Sequence, residues 1–190
     1  MTLAPVGALV LCDANVLYKS LLRDLIMRLG MSGAIRPRWT ERIHEEWMRN
    51  LQLRLPAVPQ AAVERTRHLM DVTLPEALVT ITVTSGHALP DPDDQHVLDA
   101  ALSAGAGVLM TFNLSDFPSP ALPTHLQAVH PDTFLGACLE QQQGRVLDAL
   151  QALRANLKKP PFSVPDLLAA LERAELPQFA SSLRAFEEHL

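Results

Sequence analysis

Four acidic residues sit where a carboxylate is costly to place. Asp13 ends the apolar run Ala8-Leu-Val-Leu-Cys12, and Glu46 lies in Thr40-Glu-Arg-Ile-His-Glu-Glu-Trp47. Asp94 lies in Asp91-Pro-Asp-Asp-Gln-His-Val-Leu98, and Asp116 in Thr111-Phe-Asn-Leu-Ser-Asp-Phe117. Carboxylates gathered by a fold repel one another and lose hydration, so such a constellation calls for a compensating cation. Hard oxygen donors favour Mg²⁺ or Mn²⁺.

Helical geometry separates inward acids from outward ones. On a helix over 39–54, Ile43, Trp47, Leu51 and Leu53 define an apolar arc of about 160° that contains Glu46, beside Asn50. Glu41 and Glu45 point the other way, and no Lys or Arg shares the arc with Glu46. On a helix over 92–105, Val97, Leu98, Ala101, Leu102 and Gly105 form the buried face, with Asp94 near its middle. Asp99 is expected to project outward and His96 to point away from the arc. Structural readings compete at each position. Asp13 and Asn15 can cap a following helix. Asp91-Pro92 has the form of an N-cap with proline at N1, which puts Asp94 at N3 near the helix dipole. Asn113 and Asp116 can make Asx turns, and Thr111 can cap. Jointly, the four acids fall near one strand edge, and that favours a metal.

Other chemistries lack their residues. There is no glycine-rich phosphate loop, no Gly-x-Ser-x-Gly elbow and no His-Glu-x-x-His. An aspartyl-phosphate phosphatase needs a second acid two residues after the first, and that position is Asn15. Cys12 and Cys138 form no disulfide framework and have no metal-ligand spacing.

The elements that must position these residues alternate between strand and helix. Apolar or β-branched runs predict strands at 8–12, 79–83, 108–110 and, more weakly, 126–129. Helices are predicted over 15–29, 39–54, 59–70 and 92–105. The first and third strands are continuous apolar runs, as expected where helices cover both faces of a parallel sheet. Chemistry in such sheets gathers at the carboxyl ends of strands, where Asp13 and the 111–117 loop fall. Beyond Pro131 the pattern becomes helical over 132–143, 145–157, 163–174 and 176–189. A break is expected at Lys158-Lys-Pro-Pro161, and Ser163-Val-Pro-Asp166 has the form of a capping box.

Composition sets the bounds. The chain has 190 residues, 48% of them apolar and 19% charged, enough for a sizeable core. The apolar run at 6–12 is too short to span a bilayer and lacks a preceding basic segment, so a cytoplasmic protein is expected. The net charge of −5 conceals a division. Ten of the sixteen basic residues lie from 19 to 67, whereas 68–144 contains nine acids and no Lys or Arg. One region suits a polyanion and the other suits cations, although the arginines also suit solvated helix faces.

The stretches Val10-Leu-Cys-Asp-Ala-Asn-Val16, Thr40 through Trp47, Asp91 through Ala101 and Val108-Leu-Met-Thr-Phe-Asn-Leu-Ser-Asp-Phe-Pro118 resemble, in this order, the PIN-domain ribonucleases. They are most similar to VapC-type toxins of toxin–antitoxin pairs. The resemblance covers about residues 6–135, and the helical tail is similar to an extension found in longer members. It implies a three-layer α/β/α fold with a mostly parallel sheet over 1–135, plus a helical extension over 136–190. Asp13, Glu46, Asp94 and Asp116 match the family's catalytic, metal-binding quartet, and Asn15, Thr111 and Asn113 match its supporting polar positions. Many members carry Asp where this chain has Asn113. The implied activity is Mg²⁺-dependent (or Mn²⁺-dependent) hydrolysis of RNA leaving a 5′-phosphate, with an antitoxin partner and a homodimer. Arg36, Arg38, Arg42 and Arg49 are candidates to hold the RNA backbone. Two alternatives remain: a non-catalytic PIN-like binding module, and a nuclease acting on structured DNA.

Overall fold

A computed structural model describes residue 3 and residues 5–86, 88–157 and 161–190. At its centre lies a four-stranded parallel sheet: β1 (Ala8–Cys12), β2 (Ile35–Arg38), β3 (Val108–Met110) and β4 (Gln127–Val129). The order is β2-β1-β3-β4, with Val10 paired to Pro37 on one side and Val108 on the other. Parallel strands need crossover connections, and these bring helices onto the sheet. Val10–Cys12 and all of β3 are accordingly buried. From β1 the chain passes through α1 (Ala14–Tyr18) and α2 (Ser20–Met31) to β2. It then runs through α3 (Glu41–Arg54), α4 (Gln60–Thr73) and α5 (Gln95–Ser103) to β3. Since β2 and β3 flank β1 on opposite sides, a crevice opens beyond the carboxyl ends of β1 and β3.

Three expectations about the elements need correction. Among the described residues, 79–83 do not join the sheet; just before them Leu78 makes an isolated bridge to Trp39, with Val79 N donating to the Trp39 carbonyl at 2.9 Å. The following backbone is held by α5 side chains instead: Thr82 N and Val83 N donate to Ser103 Oγ, and Ser85 N donates to Asp99 Oδ1 at 2.6 Å. The fourth strand is β2, whose Ile-Arg-Pro-Arg sequence looks unlike a strand. Pro37 is tolerated because β2 is an edge strand. Lastly, the helix expected over 15–29 breaks at Lys19, whose backbone is extended (φ −77°, ψ 109°). Arg23 Nη1 donates to the freed Leu17 carbonyl at 2.6 Å, and its guanidinium lies 4.6 Å from the centre of a Trp47 ring. Burial lowers the Arg23 pKa to about 10.

From Pro131 onward the chain is helical, as expected: α6 (Pro131–Gln141), α7 (Gln143–Asn156), α8 (Val164–Arg173) and α9 (Pro177–Leu183). The capping box at Ser163 and Asp166 is present, with Asp166 N donating to Ser163 Oγ at 3.2 Å and Ser163 N to Asp166 Oδ2 at 3.0 Å. Most of the break expected at 158–161 lies outside the described residues. These helices share one core with the sheet layer, in which Leu22, Leu25 and Leu29 of α2 join Leu147 and Leu150 of α7. Gln142 Nε2 also donates to the buried Ala34 carbonyl at 3.1 Å. Asp132 accepts from Phe179 N (2.7 Å) and Gln178 N (3.0 Å), tying α6 to the start of α9. Between α8 and α9, Glu175 adopts φ +66°, alone among the described non-glycine residues. The left-handed conformation costs a residue with a Cβ about 1 kcal/mol. Cys12 and Cys138 are buried core thiols, and burial pushes both up to about 12.

A polar network pins α3, α4 and β2 together. Asp71 Oδ1 accepts from Trp39 Nε1 at 3.1 Å and meets His44 Nε2 at 3.0 Å. His44 Nδ1 accepts from Trp47 Nε1 at 2.8 Å, which requires the ring proton to lie on Nε2. Burial lowers the His44 pKa against the pull of Asp71, so the ring stays neutral. Replacing Asp71 by Ala leaves two buried donors unmatched. It is expected to lower stability by about 2 kcal/mol, measured by urea unfolding; an unchanged midpoint would contradict this role.

Candidate metal centre

Asp13 follows β1 directly, at the crevice. It is 7% exposed, and its backbone N donates to the Met110 carbonyl at 3.1 Å. The carboxylate makes no side-chain cap bond to α1, so capping does not account for this acid. It is gripped from across the crevice instead. Thr111 Oγ1, fully buried after β3, donates to Asp13 Oδ2 at 2.7 Å, and Asn15 Nδ2 donates to the same oxygen at 2.7 Å. Asn15 Nδ2 also lies 3.0 Å from Thr111 Oγ1, and Asn15 Oδ1 accepts from Phe112 N at 3.2 Å. Asn113 N donates to Thr111 Oγ1 at 3.1 Å, while Asn113 itself is exposed at the mouth. Of the three residues expected to support the site, Asn15 and Thr111 hold Asp13 directly, and Asn113 reaches Thr111 through its backbone.

The other acids differ in how their charge is balanced. Glu46, its side chain 19% exposed, lies 3.2 Å from Arg42 Nε and 3.0 Å from His96 Nε2. Burial pushes its pKa up, but the His96 and Arg42 contacts outweigh this, and the net shift is downward. Asp94 and Asp116 make no ion pair among the described residues. Burial first, then the charges of Asp13, Asp116 and Asp91, raise the Asp94 pKa to about 6. Burial likewise raises Asp13 and the charge of Glu46 adds to it, against the Thr111 hydrogen bond. Asp91 is the predicted cap, accepting from Asp93 N at 2.8 Å, but Asp94 makes no side-chain cap bond of its own.

Asp13, Asp94 and Asp116 are hard oxygen donors; the charges of Asp13 and Asp116 add to burial in raising Asp94, with His96 opposing them, and this chemistry fits a divalent cation. Among the described residues no three His, Cys, Asp or Glu side chains already stand together as a ligand set.

Several orientations differ from the sequence reading. His96 is buried and pairs with Glu46 instead of pointing away, and its Nδ1 has no hydrogen-bond partner. Asp99 is buried too, accepting from Ser85 N and from Gln95 Nε2. Residues 96–101 are all buried, so α5 has no outward side across that stretch. On α3, Leu53 is 74% exposed, whereas His44 is fully buried. A cation does share the surroundings of Glu46: Arg42, one turn earlier, which also donates to the Asp93 carbonyl at 3.2 Å. The remaining arginines lie elsewhere. Arg36 donates to Gly7 O at 2.7 Å, near the amino end of β1, and Arg38 stands 4.0 Å from Glu76. Arg49 is exposed on α3. Sequence periodicity offered no sign of His96, because its partner Glu46 lies 50 residues away.

Fold and site together define a class of protein: a parallel α/β domain with a buried aspartate held where β1 and β3 end. The chain belongs to the PIN-domain family, whose model matches residues 9–115. A second model, described as the VapC50 C-terminal domain, matches residues 131–185, so the chain is VapC-type with a C-terminal extension. A curated relative from Mycobacterium tuberculosis (strain ATCC 25618 / H37Rv), named "Putative ribonuclease VapC50", is 38% identical over 92 residues. The match covers 48% of this chain and 54% of the relative, so the chain spans about half the length of the relative it matches. No solved structure matches.

The raised Asp94 pKa predicts a direction for metal-free stability. A carboxyl whose pKa is higher in the folded state contributes stability below its unfolded value, and loses it as pH rises through the folded value. The metal-free protein should therefore lose thermal stability from about pH 4 to above the Asp94 value of about 6. Asp94→Asn should flatten that part of the curve. Equal slopes in both proteins, followed by scanning calorimetry with a chelator present, would show that Asp94 is not charge-stressed.

Proposed function

We propose that this chain is a divalent-metal-dependent endoribonuclease, the toxin of a toxin–antitoxin pair, acting in the cytoplasm and silenced by a cognate antitoxin. One observation carries the reading: Asp13, held by Thr111 and Asn15 beyond β1 and β3, acts with Asp116 and with burial to raise the carboxyl of Asp94. Asp13, Asp94 and Asp116, with Glu46 at the rim, would hold the ion. Bound there, Mg²⁺ or Mn²⁺ supplies a Lewis acid that polarises a phosphodiester and activates water.

The chain's own residues set the conditions for that chemistry. Thr111 and Asn15 fix which Asp13 oxygen faces the crevice, because Oδ2 is occupied by both donors. Paired with Arg42 and His96, Glu46 keeps its charge at neutral pH. Without a cation the three aspartates repel a phosphate at the crevice, so ion binding precedes entry of the phosphate to be cut. RNA in preference to DNA, a homodimer, and Asn113 in place of an acid all rest on the family resemblance.

A second reading, a non-catalytic RNA- or protein-binding module, draws support from the ion pairs that already occupy Glu46. Cleavage of a structured RNA separates the two. The nuclease reading expects Mg²⁺-dependent cutting to 5′-phosphate products. Asp13→Ala and Asp94→Asn should each reduce the rate at least about 100-fold with the fold intact. Cutting that survives in both folded variants refutes the site. RNA binding unaffected by Mg²⁺, with no cutting, supports the second reading.

A further inference from the structure

We propose that the groove between the acidic cluster and the C-terminal helices seats a backbone phosphate of single-stranded RNA on Lys19, and that Glu175 fills this seat in the resting protein. The identity of the polyanion rests on the nuclease reading above; the seat itself does not require catalysis.

The groove encloses about 380 Å³ and adjoins the acidic cluster through Asn15 and Asn113, which line it. The break between α1 and α2 puts Lys19 on its wall, with a side chain only 19% exposed. A cation so enclosed needs an anionic partner, and its partner is Glu175, at 2.7 Å. The carboxylate comes from the C-terminal extension, 156 residues away, and its side chain is 67% exposed. An exposed carboxylate on a sheltered ammonium is readily exchanged for a phosphate oxygen, because the incoming anion meets the same charge and donors.

The surroundings suit a nucleotide. Lys19 Nζ lies 4.3 Å from the Phe112 ring centre, and the Arg54 guanidinium lies 5.7 Å from that of Tyr18. Cations interleaved with aromatic faces allow phosphates to pair and bases to stack on a single strand. Their placement also divides the labour, with cations in the groove and aspartates at the adjoining crevice. A strand bound on Lys19 is thereby led toward Asp13.

The backbone of Glu175 supports the gating half of the proposal. It follows α8 in the left-handed conformation, φ +66°, where glycine is the usual residue. A glycine there could not reach Lys19. The strained backbone is held in a place where only a charged side chain completes the pair.

The test is binding of a short fluorescein-labelled oligouridylate to the full chain, read by anisotropy with a chelator present so that nothing is cut. Glu175→Gln should bind roughly 5-fold tighter, and Glu175→Gly, which also relieves the backbone, should do the same. Lys19→Met should weaken binding and reduce the slope of log affinity against log salt by roughly 0.7. In the Lys19→Met background the gain from Glu175→Gln should vanish. Unchanged or weaker binding by both folded Glu175 variants overturns the proposal, as does a gain that persists without Lys19. Should Lys19→Met fail to fold, the two Glu175 variants decide. Normal Mg²⁺-dependent cutting without a Glu175 effect would sink the seat and leave the nuclease. A Glu175 effect without cutting would keep the seat and sink the nuclease.

Discussion

The structure is organised around a buried negative charge that the chain does not balance. Asp13 has a hydroxyl and an amide as partners, and among the described residues no lysine or arginine pairs with it. Hydrogen bonds orient a carboxylate and ease its burial, but they do not cancel repulsion from Glu46 and Asp94. A charge-stressed cluster of this kind is expected at a functional site, where local stability is given up for affinity toward a ligand. Glu46 shows the contrast: set against Arg42 and His96, it ionises easily.

Topology delivers these groups from distant parts of the chain. Thr111 and Asp13 are 98 residues apart, yet they meet because β3 lies beside β1 in register and both strands end at the same level. The C-terminal helices reach the same neighbourhood from the other side, and their core is continuous with that of α2. The extension is therefore built into the domain, and through Glu175 it contacts the groove beside the acids.

Much of this was legible in the sequence where one physical signal dominated. Continuous apolar runs marked β1 and β3 because both are covered on two faces. Caps and prolines marked the turn into α5, at Asp91-Pro92, and the start of α8, at Ser163 to Asp166. The misses share a cause. Strand β2 carries Arg36, Pro37 and Arg38, and its strand character comes from pairing with β1, which no local pattern records. Residues 79–83 have a strand's composition, yet their neighbours are side chains of α5. Wheel geometry misplaced His96 and Asp99 because it assumes a wet face, and α5 is buried throughout 96–101. The four acids were singled out from local context and the family resemblance, whereas the partner of Glu46 needed tertiary structure.

The central claim is that Asp13, Asp94 and Asp116 share one ion. Crystals soaked in Mn²⁺ and measured for anomalous scattering test this directly. The account predicts a peak in the crevice beyond β1 and β3, with oxygens of at least two of these aspartates at about 2.1 Å, near the ideal distance for a small hard cation. An empty crevice at saturating Mn²⁺, with the three carboxylates unmoved and protonated, would contradict it.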